Sequence, residues 1–211
     1  MKQKIILIGG GGHALSCIDI INQNKNFDLI GFFDHDIKKK KILNYNNLFL
    51  TNPDINSFQT ETNFLIMGIG FINNSKDRDK LINEFNEKNF DFVELRSKSS
   101  IISNFSEIGQ SVQIFNNVII NTGSFIGDHS ILNNSCLIEH NCYVGKNVHI
   151  STGAILNGDV HVGDNTFIGS GAIINNSIKI GKNCIIPSGS VIRKDIPDNS
   201  LYINSSQQKK L

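Results

Sequence analysis

The chain has 211 residues, enough for one large domain or two modest ones. Its formal net charge is +1, so no electrostatic basis exists for nucleic acid or an anionic membrane as a partner. No apolar run approaches the roughly 20 residues that span a bilayer. The first residues, Met1-Lys2-Gln3-Lys4, lead into a short aliphatic run that is too brief for a signal peptide, and a cytoplasmic location is expected.

In chain order, Lys4 to Ile8 reads as a short apolar strand and Gly9-Gly10-Gly11-Gly12 follows it. His13 to Asn24 has helical apolar spacing through Ala14, Leu15, Ile18 and Ile21. Leu29 to Phe33 is a second strand ending at Asp34. Lys38 to Lys41 reads as a solvated basic loop, with a phosphate-steering patch as the alternative. Phe64 to Met67 is another strand, closed by Gly68-Ile69-Gly70. Ser75 to Lys88 predicts a helix with Leu81, Ile82 and Phe85 on one side, and Phe90 to Leu95 a last strand. Strand alternating with helix implies a small parallel α/β sheet, Rossmann-like, over residues 1–95.

From Ile102 to Pro197 the pattern changes to an unbroken six-residue period. Its first position is aliphatic in all sixteen hexads, from Ile102 and Ile108 through Ile138, Val144 and Ile150 to Ile192. The fifth position is small or β-branched and never charged. A hexapeptide period marks a parallel β-helix, so residues 96–211 form a second, all-β domain with a C-terminal tail. Three hexads make one triangular coil, and residues eighteen apart stack on neighbouring coils about 4.8 Å apart. The four cysteines form no CxxC pair. Cys136, Cys142 and Cys184 sit at the inward fifth position and read as small buried thiols, in keeping with a reducing compartment.

Gly9-x-Gly11-x-x-Ala14, with Asp34 a little over twenty residues on, fits a dinucleotide fingerprint. By spacing alone an NAD-binding reading stays open. Backbone amides at the start of a helix bind phosphate, and glycines let it approach.

The hexads resemble those of the left-handed β-helix acyltransferases; the handedness is what the resemblance implies. Together with Ile8-Gly9-Gly10-Gly11-Gly12-His13-Ala14, Gly31-Phe32-Phe33-Asp34-His35-Asp36 and Ile138-Glu139-His140-Asn141-Cys142-Tyr143-Val144-Gly145, nearly the whole chain resembles the sugar O-/N-acyltransferase family. That family includes sialic acid O-acetyltransferases and nucleotide-amino-sugar N-acetyltransferases. The resemblance implies acetyl-CoA as co-substrate, no metal, and a homotrimer with the active site between adjacent β-helices. It implies an acetyl group transferred to the 4-amino group of a UDP-linked sugar for surface glycans. Sialic acid O-acetylation is the alternative within enzymes. A zinc-dependent β-helix enzyme and a non-catalytic trimeric scaffold are the readings from other classes. His129, His140, His149 and His161 lack the close His pair that the zinc reading needs.

The resemblance makes His140 the general base. The residue after it is commonly acidic in relatives and is Asn141 here, which orients an imidazole without stabilising its charge. Counting by eighteen puts Asp159 beside Asn141 and Gly158 over His140, so Asp159 is expected to supply the missing carboxylate, with Glu139 a second candidate. His149 matches a position that contacts acetyl-CoA, with a ring placed for the thioester carbonyl. Ser170, Ser188 and Gly189 match positions that meet the coenzyme through backbone atoms. Gly11, Gly12 and His13 are expected to face phosphates or sugar, Asp34 and His35 the nucleoside, and Gly70 the same crevice. The tail, Ile203-Asn204-Ser205-Ser206-Gln207-Gln208-Lys209, departs from the Gly-x-Pro-Ala-Lys ending that closes over the coenzyme in relatives.

Overall fold

The computed structural model describes residues 2–72 and 75–203. The tail beyond Ile203, with Lys209 and Lys210, lies outside the described residues.

The first domain is a four-stranded parallel sheet in the order β2 (Phe27–Phe33), β1 (Gln3–Ile8), β5 (Phe64–Met67), β6 (Asp91–Phe92). Two helices, α1 (Gly12–Gln23) and α2 (Lys76–Glu87), cover it. The apolar spacing of α1 sends Ala14, Cys17, Ile18 and Ile21 onto one side of β1, with Ile5 and Leu7. The α2 side chains Ile82 and Phe85 join the other cluster, with Ile6, Ile8 and Leu65. The strand order reverses between β1 and β5, and ligands of open α/β sheets bind in the crevice beyond the strand ends at such a point. Two features between β2 and β5 carry no periodic signal: a hairpin of β3 (Lys41–Ile42) and β4 (Tyr45–Asn46), and short 3-10 turns at Leu48–Leu50 and Ile55–Phe58.

The expected strand from Phe90 to Leu95 is two strands. Asp91–Phe92 closes the first sheet, whereas β7 (Leu95–Arg96) pairs with Gln113–Ile114 as the first rung of the second domain. Leu95 is fully buried in the cluster that holds Ile5, Phe115 and Ile131, so the two domains share apolar core.

The second domain is a parallel β-solenoid of three sheets with six, six and five strands. Partners across rungs are eighteen residues apart, as in Gln113↔Ile131, Ile119↔Leu137 and Phe125↔Tyr143. From Ile114 to Ile192 the first-position side chains are at most 3% exposed. Each such burial stabilises by about 1.5–3 kcal/mol. Three interior hydroxyls of the fifth position are satisfied by backbone, Ser124 donating to Glu139 O at 2.7 Å, Ser130 to Gly145 O at 2.9 Å and Thr166 to Gly181 O at 2.8 Å, whereas buried Ser190 Oγ has no partner among the described residues. At the corners the chain turns through left-handed backbone at residues such as Asn117, Asn141, Asp159 and Asn165, side chains that tolerate it.

The sixth hexad position points outward and differs from face to face. One face carries Leu95, Gln113, Ile131, His149, Phe167 and Ile185 and lies under the first domain. The next carries Ile101, Ile119, Leu137, Ile155, Ile173 and Val191, aliphatic at every rung and not fully buried at any. The third carries Glu107, Phe125, Tyr143, His161 and Lys179. Among the described residues no helix is long and apolar enough to cross a membrane.

Candidate functional site

A cleft of about 1200 Å³ opens where the ends of β1 and β5 meet the covered solenoid face. The glycine run forms one wall. Gly9 has φ +93°, and a β-carbon there would lie 2.5 Å from Ile69 Cγ1, so the turn out of β1 requires glycine. A β-carbon on Gly11 or Gly12 would meet nothing within 4 Å. The amides that open α1 carry no side-chain cap, which leaves their partial positive charge to the cleft.

Asp34 and Lys39 stand at the mouth. Asp34 accepts from the amide of Asp36 at 2.9 Å and from Lys39 Nζ at 3.1 Å. Desolvation pushes the Asp34 carboxyl up, but the Asp36 amide and the Lys39 ammonium outweigh it and the net shift is downward. Buried Asn47 clamps this loop. It accepts from Asp34 N at 3.2 Å and donates to Asp34 O at 2.8 Å and Lys39 O at 3.0 Å. Lys39 is therefore part of the cleft rather than of a purely solvated run. The exposed His35 ring packs on Phe49 at 4.6 Å and Phe33 at 5.9 Å between centroids.

Two imidazoles form the floor. His13 Nε2 lies 2.7 Å from Gln113 Oε1, and Gln113 Nε2 donates to Met67 O at 2.6 Å. The glutamine therefore presents oxygen to His13, and the His13 ring is turned onto the solenoid rather than committed to a phosphate. His149 Nδ1 lies 2.7 Å from Phe71 O, and its ring sits 6.4 Å from His13, 5.7 Å from Phe71 and 5.2 Å from Phe167. Burial pushes His13 down to about 4, opposed by Gln113 and aided by Arg78. Burial also pushes His149 down to about 4, opposed by the Phe71 carbonyl and aided by His13 and Arg78. Both rings are neutral at pH 7. Gly70 lies against His13, its hypothetical β-carbon 3.4 Å from Cγ.

Arg78 of α2 ties the floor together from beneath. It is 1% exposed, donates to Ile69 O at 3.0 Å and also to Asn147 Oδ1. Asn147 in turn donates to Asp79 at 2.5 Å and to Asn165 Oδ1 at 3.0 Å. Burial lowers Arg78 to about 10 against the pull of Asp79, and burial raises Asp79 against the pull of Arg78.

The other end of the cleft is a solenoid corner, lined by Asn133, Ser151, Ser170, Pro187 and Ser188. Ser151 and Ser170 share a hydroxyl contact of 2.8 Å. One rung after another, Gly153, Gly171 and Gly189 hold the left-handed corner position that Asn117 and Ser135 hold earlier, with nothing within 4 Å of a hypothetical β-carbon. Over these three rungs the corner position carries no side chain.

His140 lies elsewhere. It is exposed on the corner between the aliphatic and aromatic faces, and none of Glu139, His140, Asn141, Gly158 or Asp159 lines the cleft. Its Nδ1 is 3.3 Å from Asn141 Nδ2. Gly158 stacks over it, since a β-carbon there would lie 2.5 Å from His140 Cε1 and 2.6 Å from Nε2. Asp159 takes the neighbouring coil, its amide donating to His140 O at 2.9 Å. Its carboxylate turns to His161 instead, with Oδ1 3.9 Å from Nε2. The Glu139 carboxylate accepts from Asn121 Nδ2 at 3.0 Å. The structure thus gathers Gly11, Gly12, His13, Asp34, His35, Gly70, His149, Ser170 and Ser188 into one cleft and sets the His140 group on another corner. Among the described residues no three His, Cys, Asp or Glu side chains are grouped to hold a metal.

Sequence reasoning missed Gln113, Asn47, Phe71 and Arg78. Gln113 had a signal, as a polar sixth-position residue on the face whose other rungs are mostly apolar.

Residues 4–85 match the family of the PglD N-terminal domain, and residues 159–194 match the bacterial transferase hexapeptide (six repeats). PerB from Caulobacter crescentus, solved in complex with CoA and GDP-perosamine, is 27% identical with a TM-score of 0.83 over 94% of this chain and 92% of that one. The H141N mutant of the perosamine N-acetyltransferase from the same organism gives a TM-score of 0.85 at 27% identity, over 94% and 92% of the two chains. The acetyltransferase domain of PglB from Neisseria gonorrhoeae has the same fold, at 24% identity and a TM-score of 0.83 over 95% and 96% of the two chains. No curated protein sequence matches. The chain thus joins a PglD N-terminal domain to a bacterial transferase hexapeptide solenoid, as these sugar acetyltransferases do over nearly its whole length, and is an acyltransferase of that architecture.

Proposed function

We propose that the chain is an acetyl-CoA-dependent N-acetyltransferase acting on the 4-amino group of a nucleotide-linked sugar for surface glycan synthesis. It works as a homotrimer in the cytoplasm with His140 as general base. One observation carries this reading: a single cleft runs from the glycine loop to the Ser151–Ser188 corner. The uncapped amides of α1 suit the diphosphate of the acceptor. The corner of glycines admits the pantetheine arm and thioester of acetyl-CoA. The resemblance implies a UDP carrier, whereas the Caulobacter protein binds GDP-perosamine. Four buried, unpaired cysteines suit a reducing compartment.

The aliphatic face supports the trimer. That face is bounded on one side by the coenzyme corner and on the other by the His140 corner. Three prisms packed with these faces inward meet edge to edge. The His140 of one copy then reaches the thioester held by the next. In the reaction the amine nitrogen attacks the thioester carbonyl, the C–S bond breaks, and the proton lost by nitrogen passes through His140 to the departing thiolate.

Thiol release from acetyl-CoA, measured against UDP-, GDP- and dTDP-linked 4-amino sugars and free sialic acid, tests this reading. Turnover with a nucleotide amino sugar is expected; turnover with sialic acid alone would establish O-acetylation instead. Ile155→Asp places a carboxylate in the middle of the aliphatic face, at a cost of several kcal/mol if that face is buried. Sedimentation should show monomers, with turnover lost and nucleotide-sugar binding in the cleft retained. A trimer that survives the substitution would place the interface elsewhere.

The carboxylate expected to assist His140 also has a direct check. If Asp159 acts on the imidazole in the assembled site, Asp159→Asn will lower the rate and shift its pH profile. An unchanged profile would leave Asp159 as the partner of His161 only.

A further inference from the structure

His149 is held in one tautomer. Phe71 O, 2.7 Å from Nδ1, only accepts hydrogen bonds, so Nδ1 carries the ring hydrogen and Nε2 keeps a bare lone pair. That Nε2 is buried and has no hydrogen-bond partner among the described residues, in a side chain 7% exposed that lines the cleft. A buried polar atom left unpaired is costly. The rings around it supply no donor: Phe71 and Phe167 have none, and the His13 Nε2 hydrogen goes to Gln113. A thioester carbonyl, itself an acceptor, does not satisfy this nitrogen. It calls for an N–H or O–H that enters with the ligand. His149 lines the same cleft as the glycine loop and Ser151, the two ends that the reading above gives to the acceptor and the thioester.

We propose that His149 Nε2 accepts one N–H of the attacking amine and so sets the preference for amine over hydroxyl acceptors. This rests on the reading above of His140 as the base. A neutral primary amine carries two hydrogens. One passes to His140 as the C–N bond forms and the C–S bond breaks; the thiolate takes it up. The other stays on nitrogen in the amide product, bonded to His149 from start to finish. A hydroxyl has a single hydrogen. Given to the base, it leaves the oxygen lone pairs facing the lone pair of Nε2.

The test uses the intact trimer with a matched pair of acceptors, a nucleotide-linked 4-amino sugar and the same sugar bearing a 4-hydroxyl. His149→Phe keeps a planar ring between Phe71 and Phe167 but removes the acceptor nitrogen. It should lower kcat for the amine by about 10- to 100-fold, leave the KM for acetyl-CoA within about twofold, and shrink the amine-to-hydroxyl ratio of kcat/KM by the same factor as kcat. His149→Gln, which returns an acceptor oxygen, should recover part of the loss. An unchanged ratio, or a raised KM for acetyl-CoA with kcat intact, overturns the proposal and makes His149 a coenzyme contact. Nitrogen NMR of the His149 ring gives a readout without turnover. A bare Nε2 at pH 7 that shifts on adding the amine acceptor alone is expected, and an Nε2–H tautomer refutes the idea. Should the wild-type enzyme acetylate no nucleotide sugar, the functional reading fails by itself while the ring spectrum still decides the tautomer.

Discussion

Gly158→Ala will cut turnover on the order of 100-fold while leaving the fold intact. The new β-carbon would sit 2.5 Å from His140 Cε1 and 2.6 Å from Nε2, far inside contact distance. Gly158 is buried within its rung and cannot yield, whereas the His140 side chain is exposed and can swing to another rotamer at little cost. The imidazole is therefore displaced rather than the solenoid broken. A displacement of about 1 Å at a reacting group is enough to lose two orders of magnitude. Removing the imidazole altogether, as His140→Ala, should cost about 100- to 10,000-fold. KM for acetyl-CoA and the thermal midpoint should stay near wild type in both variants. Asn141→Gly is the control. It keeps the left-handed backbone at φ +59° and deletes only the 3.3 Å contact to Nδ1, so it should cost less than tenfold. If Gly158→Ala turns over at the wild-type rate, His140 is not the base.

Much of the geometry behind that prediction is legible in the sequence, because a solenoid converts spacing into position. Counting by eighteen places Gly158 on His140 and Asp159 beside Asn141 without any coordinates. Counting cannot say where a side chain turns, and Asp159 turns to His161. The first domain is less legible. Its strands and helices show as apolar runs, but the clamp made by Asn47 rests on contacts across 13 residues and on a hairpin with no periodic signal. The orientation of His13 was hidden for the same reason: its partner Gln113 lies 100 residues away on another domain. The sixth hexad position held more than the first and fifth. Read as one column it is mixed; read every third hexad it separates a covered face, an aliphatic face and an aromatic one. Those three faces say where the first domain sits and which apolar face it leaves uncovered.

Between pH 6.5 and 5 the folded protein should lose stability steeply, and the loss should trace to the two histidines on the cleft floor. His13 and His149 are each lowered to about 4 by burial, against an ordinary value of 6.5. A depressed pKa means that the unfolded chain takes up protons first as pH falls. The stabilisation is thus complete above about pH 7, drains away through the window from 6.5 toward 4, and is gone below it. Each shift corresponds to about 3 kcal/mol, a large share of the 5–15 kcal/mol that holds a typical domain together. His129, lowered by burial with help from Arg78, adds in the same direction. Asp79, raised by burial, works in the opposite sense, gaining stability as it protonates in the acid part of the range. The loss should centre on the seam between the domains, because Gln113, Phe71 and Arg78 link the imidazoles to both sides of it. Urea unfolding at pH 7.5, 6 and 5, at one fixed protomer concentration, measures the slope. His149→Phe should remove about half of it, since one proton-linked site is gone. If the variant proves as acid-sensitive as the wild type, the cleft floor is not what titrates.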